Sequence, residues 1–171
     1  MNIRGLLCTA AASVLLSAAG PMTSPSQPAP ATAAAPMADM QVVGGLAAVK
    51  WGPGNPAFPA GAEMALMAGD PASTGFISIR AKMPAGYKVP PHFHPTDEHV
   101  TVLSGTMAFG MGDTMDAKTE KTVNRGGYFV AQANMHHYAI AKTAAVIQVD
   151  MTGPFGITYV NAADDPRTAK K

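Results

Sequence analysis

The stretch Gly86-Tyr-Lys-Val-Pro-Pro-His-Phe-His-Pro-Thr-Asp-Glu98, which continues to Gly105, decides how this chain is interpreted. It places two imidazoles and a carboxylate within seven residues, and all five histidines lie between His92 and His137. Residues two apart on an extended strand point to the same face, so His92 and His94 can reach one ion together. This cluster of nitrogen and oxygen donors indicates a transition-metal site.

Two further features bear on the ligand set. Glu98 lies four residues beyond the second imidazole, but Pro95 interrupts the ladder of strand hydrogen bonds, so the spacing alone does not fix its direction. A later pair, His136-His137, follows the strand-like run 128–131. Adjacent strand residues face opposite ways, so we expect at most one histidine of this pair to point at the ion.

The opening segment resembles the first motif of the cupin superfamily. That motif is Gly, five residues, His-x-His, three or four residues, Glu, six residues, Gly. Gly86, His92, His94, Glu98 and Gly105 occupy every fixed position. The resemblance implies a jelly-roll barrel, also called a double-stranded β-helix, with a metal site inside it.

The second cupin motif is matched less completely. It is Gly, five residues, Pro-x-Gly, two residues, His, three residues, Asn. Gly126 and His137 match, whereas Gln132, Asn134 and Ala141 replace the expected Pro, Gly and Asn. Asn is a tolerable substitute for Gly because it also visits the left-handed backbone region. The motif spacing selects His137, rather than its neighbour, as the third imidazole.

The resemblance therefore implies that His92, His94, Glu98 and His137 bind one divalent transition metal. Nitrogen and oxygen donors suit Fe, Mn, Ni, Zn or Cu, and ligand type alone does not choose among them. We expect His99 and His136 to face outward or to lie behind the ligands. The stretch from about residue 49 to 166 also resembles small exported single-domain cupins.

The rest of the sequence agrees with an all-β fold. Short apolar runs are separated by Gly, Pro, Asn and Asp, which is typical of a sandwich or barrel, and no window shows a long helical period. The predicted strands are Val42–Val49, Glu63–Met67, Phe76–Met83, Val89–His94, His99–Leu103, Thr106–Met111, Tyr128–Ala131, Tyr138–Ala141, Ala145–Met151 and Ile157–Val160.

A few polar residues are candidates for the pocket. Tyr128 and Tyr138 flank the second motif. Gln148 and Asp150 share one face of a late strand; we expect them on the outer face, with the metal side as the alternative. Thr96-Asp97 could hydrogen-bond a ligating imidazole or form a plain surface turn. The many methionines are best explained as core filling, with a copper thioether site as the alternative.

The N-terminus has the pattern of a secretory signal peptide. A short positive segment containing Arg4 precedes an apolar run, and Ser17-Ala-Ala19 offers a small-x-small cleavage site. We predict a signal peptide at residues 1–19, a flexible Pro/Ala-rich spacer at 20–38 and a single cupin domain at 39–171. The protein would then be periplasmic or secreted. Cys8, the only cysteine, lies in the signal segment, so no disulfide is expected.

Charge and composition restrict the partners. Removal of residues 1–19 leaves 11 Lys and Arg against 11 Asp and Glu, with no basic stripe, so nucleic acid is not expected as a partner. No second apolar stretch is long enough to span a membrane. We expect a small-molecule ligand or substrate, and the resemblance to cupins adds a homodimer.

Three hypotheses on function follow. The first is a metal-dependent enzyme that acts on a small molecule, specifically a dioxygenase-like oxidoreductase. The second is a non-enzymatic binding or sensing module with a cupin metal site. The third is a structural barrel whose weakly bound metal contributes only stability. Fold resemblance by itself does not choose among them.

Overall fold

The computed structural model describes residues 41–168, and they are almost entirely β-structure. The predicted signal peptide and spacer lie outside these residues. Two three-residue 3-10 turns, Leu46–Ala48 and Ala162–Asp164, accompany the strands. The strands are β1 (Gly52–Pro53), β2 (Glu63–Ala68), β3 (Phe76–Met83), β4 (Lys88–Phe93), β5 (Glu98–Ser104), β6 (Thr106–Met111), β7 (Lys121–Asn124), β8 (Tyr128–Ala131), β9 (His137–Ala141), β10 (Ala145–Thr152) and β11 (Thr158–Tyr159).

The strands form two antiparallel sheets. One has six strands in the order β1-β2-β3-β10-β5-β8, and the other has five in the order β11-β4-β9-β6-β7. Strands that follow each other in sequence often lie in opposite sheets, so the chain passes repeatedly from one sheet to the other. This is the arrangement of a jelly roll. The predicted all-β jelly-roll class is confirmed.

The core lies between the two sheets. Val100 and Val102 on β5 and Met107 on β6 are almost completely buried, and they belong to one cluster that draws on both sheets. Burying a side chain of this size stabilises the fold by about 1.5–3 kcal/mol. Met83 and Met151 are also buried, which agrees with core filling by strand methionines, whereas Met111 is 63% exposed and does not fill the core.

Strand β10 presents two chemically different faces. Ile147 and Val149 point into the barrel, where they line an internal cavity. Gln148 and Asp150 therefore lie on the outer face, as expected from the alternation of side chains. There the side-chain carbonyl of Gln148 accepts a hydrogen bond from Nε of Arg80 at 3.1 Å, and its amide donates to Asp150 at 3.2 Å.

The strand prediction was wrong at three places, one of which is the two-residue strand β1, which was not predicted. The run Val42–Val49 forms no strand, since Gly44 and Gly45 interrupt it and a 3-10 turn follows. Strand β7 was not predicted, because three of its four side chains are polar and exposed at the edge of a sheet, so no alternation marks it. The other nine predicted strands each overlap an observed strand.

Candidate metal centre

The first two histidines come from one end of β4. His92 lies within the strand and His94 follows directly after its last residue, Phe93. Both imidazoles are buried, with 3% and 2% exposure. Their ring centroids lie 5.0 Å apart, so the two side chains point to the same side, as the i, i+2 spacing predicts.

The third histidine is the first residue of β9. His137 is the register partner of His92 in the neighbouring strand, and their ring centroids are 4.3 Å apart. His136 points the other way: its Nδ1 lies 2.6 Å from a carboxylate oxygen of Asp113, and its ring stacks on Phe93. The structure therefore places one member of the pair inside the barrel and the other outside.

The loop before His137 is held against the loop that carries His94. Asn134 has a φ of +61°, the left-handed conformation expected for the residue that replaces the motif glycine. Its backbone N–H donates to the carbonyl oxygen of His94 at 2.8 Å. A second link joins the same loops, since the carboxylate of Asp97 accepts from the N–H of Ala133 at 2.7 Å.

The three imidazoles are oriented by backbone carbonyls. In each case Nδ1 lies close to a backbone carbonyl oxygen. The distance is 2.7 Å from His92 to the oxygen of Pro90, 2.6 Å from His94 to that of Gly156, and 2.9 Å from His137 to that of Met135. A carbonyl oxygen only accepts, so each Nδ1 carries the proton and donates. Each Nε2 is therefore the nitrogen that can bind a metal, and such fixing of the ring is typical of metal-ligating histidines.

Glu98 approaches the imidazoles from the opposite sheet, as the first residue of β5. One carboxylate oxygen lies 3.1 Å from Nε2 of His137, and the other lies 3.7 Å from Nε2 of His94. The side chain is only 13% exposed. The fold thus brings together all four residues of the proposed ligand set, although they are as far as 45 positions apart in sequence.

Burial and the charges of neighbouring groups lower the pKa of two imidazoles and raise that of the third. Burial and the neighbouring imidazoles lower the pKa of His92 to about 3. Burial also lowers the pKa of His94, and nearby Glu98 only partly offsets this effect. Burial opposes a charge on His137 too, but the hydrogen bond and the attraction of Glu98 outweigh it and raise that pKa.

The pKa of the Glu98 carboxyl group is also shifted. Burial on its own would raise the pKa of Glu98, but the hydrogen bond to His137 and the charge of that imidazole hold it below its usual range. These directions favour an ion pair between His137 and Glu98, beside imidazoles of His92 and His94 that resist protonation.

The arrangement fits a transition-metal ion. One ring nitrogen from each of His92, His94 and His137 lies within 4.8 Å of the other two. Nε2 of His94 is buried without any hydrogen-bond partner, which costs about 1–3 kcal/mol unless an ion or another group binds it. Imidazole nitrogen and carboxylate oxygen are donors that suit several divalent transition metals.

An internal cavity of about 70 Å³ adjoins this cluster, with His92, Glu98 and His137 in its wall. Most of the remaining wall is apolar and comes from both sheets. It includes Met64, Ile79, Ala81, Met83, Val89, Val100, Phe109, Phe129, Ala139, Ile147 and Val149.

The other two polar side chains of the described wall, Tyr87 and Asn55, each make one hydrogen bond to the backbone. The hydroxyl of Tyr87 donates to the carbonyl of Pro59 at 2.5 Å, and burial raises the pKa of Tyr87 to about 12. The side-chain oxygen of Asn55 accepts from the N–H of Ala57 at 2.9 Å. The described wall therefore offers a bound molecule very few free hydrogen-bonding groups.

Several candidate pocket residues lie elsewhere. Tyr128 is 55% exposed and bonds to His99 on the outer face of the six-stranded sheet. Tyr138 is fully buried, but its hydroxyl bonds to the backbone of Asp116 and it does not line the cavity. The prediction of both tyrosines as pocket residues was wrong, since strand parity turns them away from the interior.

The pair Thr96-Asp97 contacts no imidazole. The hydroxyl of Thr96 donates to the backbone oxygen of Thr152 at 2.7 Å, and Asp97 bonds to the backbone of the loop before His137. The sequence contained no indication of this loop contact. It also missed the cavity residues Phe58 and Phe155, which lie outside the strands and whose rings are 5.9 Å apart.

The family comparison agrees with this geometry. The cupin domain family matches residues 79–150, a range that includes β4, β5 and β9 and therefore all four candidate ligands. Together with the two-sheet barrel and the fixed positions of the first motif, this match identifies the class. The chain therefore contains a cupin domain. No curated protein matches the sequence.

Solved structures show the same fold. A candidate acetylacetone dioxygenase from Methylibium petroleiphilum PM1 is 22% identical, with a TM-score of 0.57 over 75% of this chain and 86% of that one. The polyketide cyclase RemF from Streptomyces resistomycificus is 18% identical, with a TM-score of 0.58 over 74% and 90%. An oxalate oxidase is 25% identical over 64% and 60%, but its TM-score of 0.49 is too low to support a conclusion.

Proposed function

We propose that this protein is an exported, metal-dependent oxidoreductase that acts on a small molecule. His92, His94, His137 and Glu98 would hold one divalent transition-metal ion. One observation carries the proposal: three buried imidazoles are each fixed at Nδ1 by a backbone carbonyl, and two of them, His92 and His137, line an apolar cavity. A substrate in that cavity would lie directly beside the ion.

The chemistry of the cavity wall favours redox over acid–base catalysis. Isomerisation and hydrolysis need side chains that exchange protons with the substrate. Glu98 and the imidazoles themselves are the only groups of the described wall suited to this near neutral pH, because the hydroxyl of Tyr87 is bonded to Pro59. A bound iron, manganese, nickel or copper ion would supply redox chemistry with dioxygen. The chain would hold the ion, orient the substrate and exclude water.

The second candidate function is binding without turnover. The same scarcity of proton-transfer groups is what a simple binding or sensing site would have. A sensing module would bind a ligand saturably and release it unchanged, whereas an oxidoreductase would consume it. Measurement of turnover therefore separates the two functions.

Oxygen uptake tests the proposed activity. The protein is loaded in turn with iron(II), manganese(II), nickel(II) and copper(II), and an oxygen electrode records consumption with a panel of small oxygenated compounds. The proposal predicts uptake with at least one pair of metal and substrate, and its loss in His92→Ala. His136→Ala is the matched control, because this imidazole lies outside the barrel. Saturable binding without oxygen uptake or product would favour the sensing function.

Export is part of the same proposal and rests on the sequence of residues 1–19. The test is the mass of the chain recovered from the periplasm or medium of an expressing bacterium. A chain that begins after Ala19 is expected. An unprocessed chain in the cytoplasm would contradict export and would leave the proposed metal chemistry untouched.

A further inference from the structure

The interior of the barrel contains few charges, and their sum restricts what can bind there. Glu98 is the only carboxylate in the described part of the cavity wall, which contains no lysine or arginine. Three neutral imidazoles, one carboxylate and a divalent ion together carry a single positive charge. This net charge is the same whether Glu98 binds the ion directly or lies beside it. In both cases the carboxylate is part of the site, since it lies 3.1 Å from Nε2 of His137.

We propose that the metal-loaded cavity selects small monoanions with a short apolar body, and disfavours dianions of the same size. This inference rests on the proposed function, since it requires the ion. A monoanion brings the cavity to neutrality. A dianion leaves it with a net negative charge in an apolar environment, where an uncompensated charge is costly.

The cavity wall adds two restrictions. The volume of about 70 Å³ is less than half that of an engineered cavity of about 150 Å³ that binds benzene, so the molecule must be small. Apolar side chains such as Ile79, Val100 and Ile147 suit a methyl or ethyl group. A second carboxylate would find no cation among the described wall residues, and the hydroxyl of Tyr87 already donates to Pro59.

Pyruvate, oxalate and butane-2,3-dione form a matched set for the test. They have the same number of non-hydrogen atoms and adjacent oxygen donors, and they are singly charged, doubly charged and uncharged. Each is titrated without oxygen into the cobalt(II)-loaded protein and into aqueous cobalt(II), and visible absorption reports binding. Aqueous cobalt(II) gives the intrinsic preference for oxalate over pyruvate, against which the protein is compared.

We expect the protein to prefer oxalate over pyruvate less strongly than aqueous cobalt(II) does. The ratio of the oxalate to the pyruvate binding constant should be smaller in the protein by on the order of tenfold or more. The uncharged dione should bind more weakly than pyruvate. A preference equal to that of the aqueous ion, or larger, would overturn the inference while leaving the metal site of the proposed function intact. Failure of the protein to bind cobalt at all would overturn both.

A charge variant tests the electrostatic cause. Glu98→Gln keeps the shape of the side chain and raises the charge of the metal-loaded site by one unit, so the ratio of oxalate to pyruvate binding should rise by roughly tenfold. Asp150→Asn is the matched control, because it removes a carboxylate from the outer face of the same sheet. An unchanged ratio in Glu98→Gln, or an equal rise in the control, would refute the charge argument. The wild-type comparison decides the proposal even if Glu98→Gln loads poorly.

Discussion

Loading the centre with a divalent metal should release close to one proton per ion at about pH 6. The hydrogen-bond pattern gives the reason. Nε2 of His137 donates to Glu98 in the metal-free site, and that proton must leave before the nitrogen can bind an ion. His92, with a pKa lowered to about 3, has no proton to give up at Nε2, and His94 is shifted in the same direction.

The number of protons released distinguishes this site from a cluster of ordinary histidines. A single released proton weakens metal binding by about tenfold between pH 6.5 and 5.5. Three independent imidazoles with an ordinary pKa of about 6.5 would release about two protons at pH 6, and their affinity would fall by roughly 150-fold over the same interval.

Isothermal titration calorimetry in buffers of different ionisation enthalpy measures the released protons directly. Glu98→Gln is the informative variant, because without the carboxylate the buried imidazole of His137 loses the partner that raises its pKa, and the release should fall towards zero. His136→Ala should leave the release unchanged. Two or more protons in the wild type, or an undiminished release in Glu98→Gln, would refute the account of the ion pair.

The remaining predictions concern stability and metal retention. The metal-free protein should lose about 1 kcal/mol of unfolding free energy between pH 6 and 5 through His92 alone. The reason is that His92 binds a proton near pH 6.5 in the unfolded chain but only near pH 3 in the folded chain. Urea titration at both pH values checks this, and an unchanged unfolding free energy would contradict it. His137→Ala should lose bound metal in dialysis against a weak chelator while His136→Ala retains it, and equal losses would contradict the orientation of the pair. Asp97→Ala should weaken metal binding through the loosened loop before His137, whereas Asp113→Ala should not; metal titration of both variants checks this.

Much of the fold and the centre could be predicted because regular strands have a fixed geometry. The i, i+2 spacing brought His92 and His94 to one side, and opposite facing separated His136 from His137. The motif spacing also accounts for Gly105, which has a φ of +76°, and where a Cβ would collide with the carbonyl oxygen of Ala144. Local chain geometry was sufficient for these residues.

The parts that could not be predicted depend on irregular segments. Phe58 and Phe155 enter the cavity wall from loops, where no periodicity states which way a side chain points. Strand β7 is mostly polar and lies at a sheet edge, so it has no buried alternation to reveal it. Tyr128 and Tyr138 are close to the second motif in sequence, yet each lies on a face directed away from the cavity.

The most direct test of the central claim is the metal content of the protein purified without chelator, measured by elemental mass spectrometry. The account predicts close to one equivalent of iron, manganese, nickel, zinc or copper per chain, retained in His136→Ala and lost in His92→Ala. It is contradicted if the wild-type protein carries no such ion and takes none up on titration.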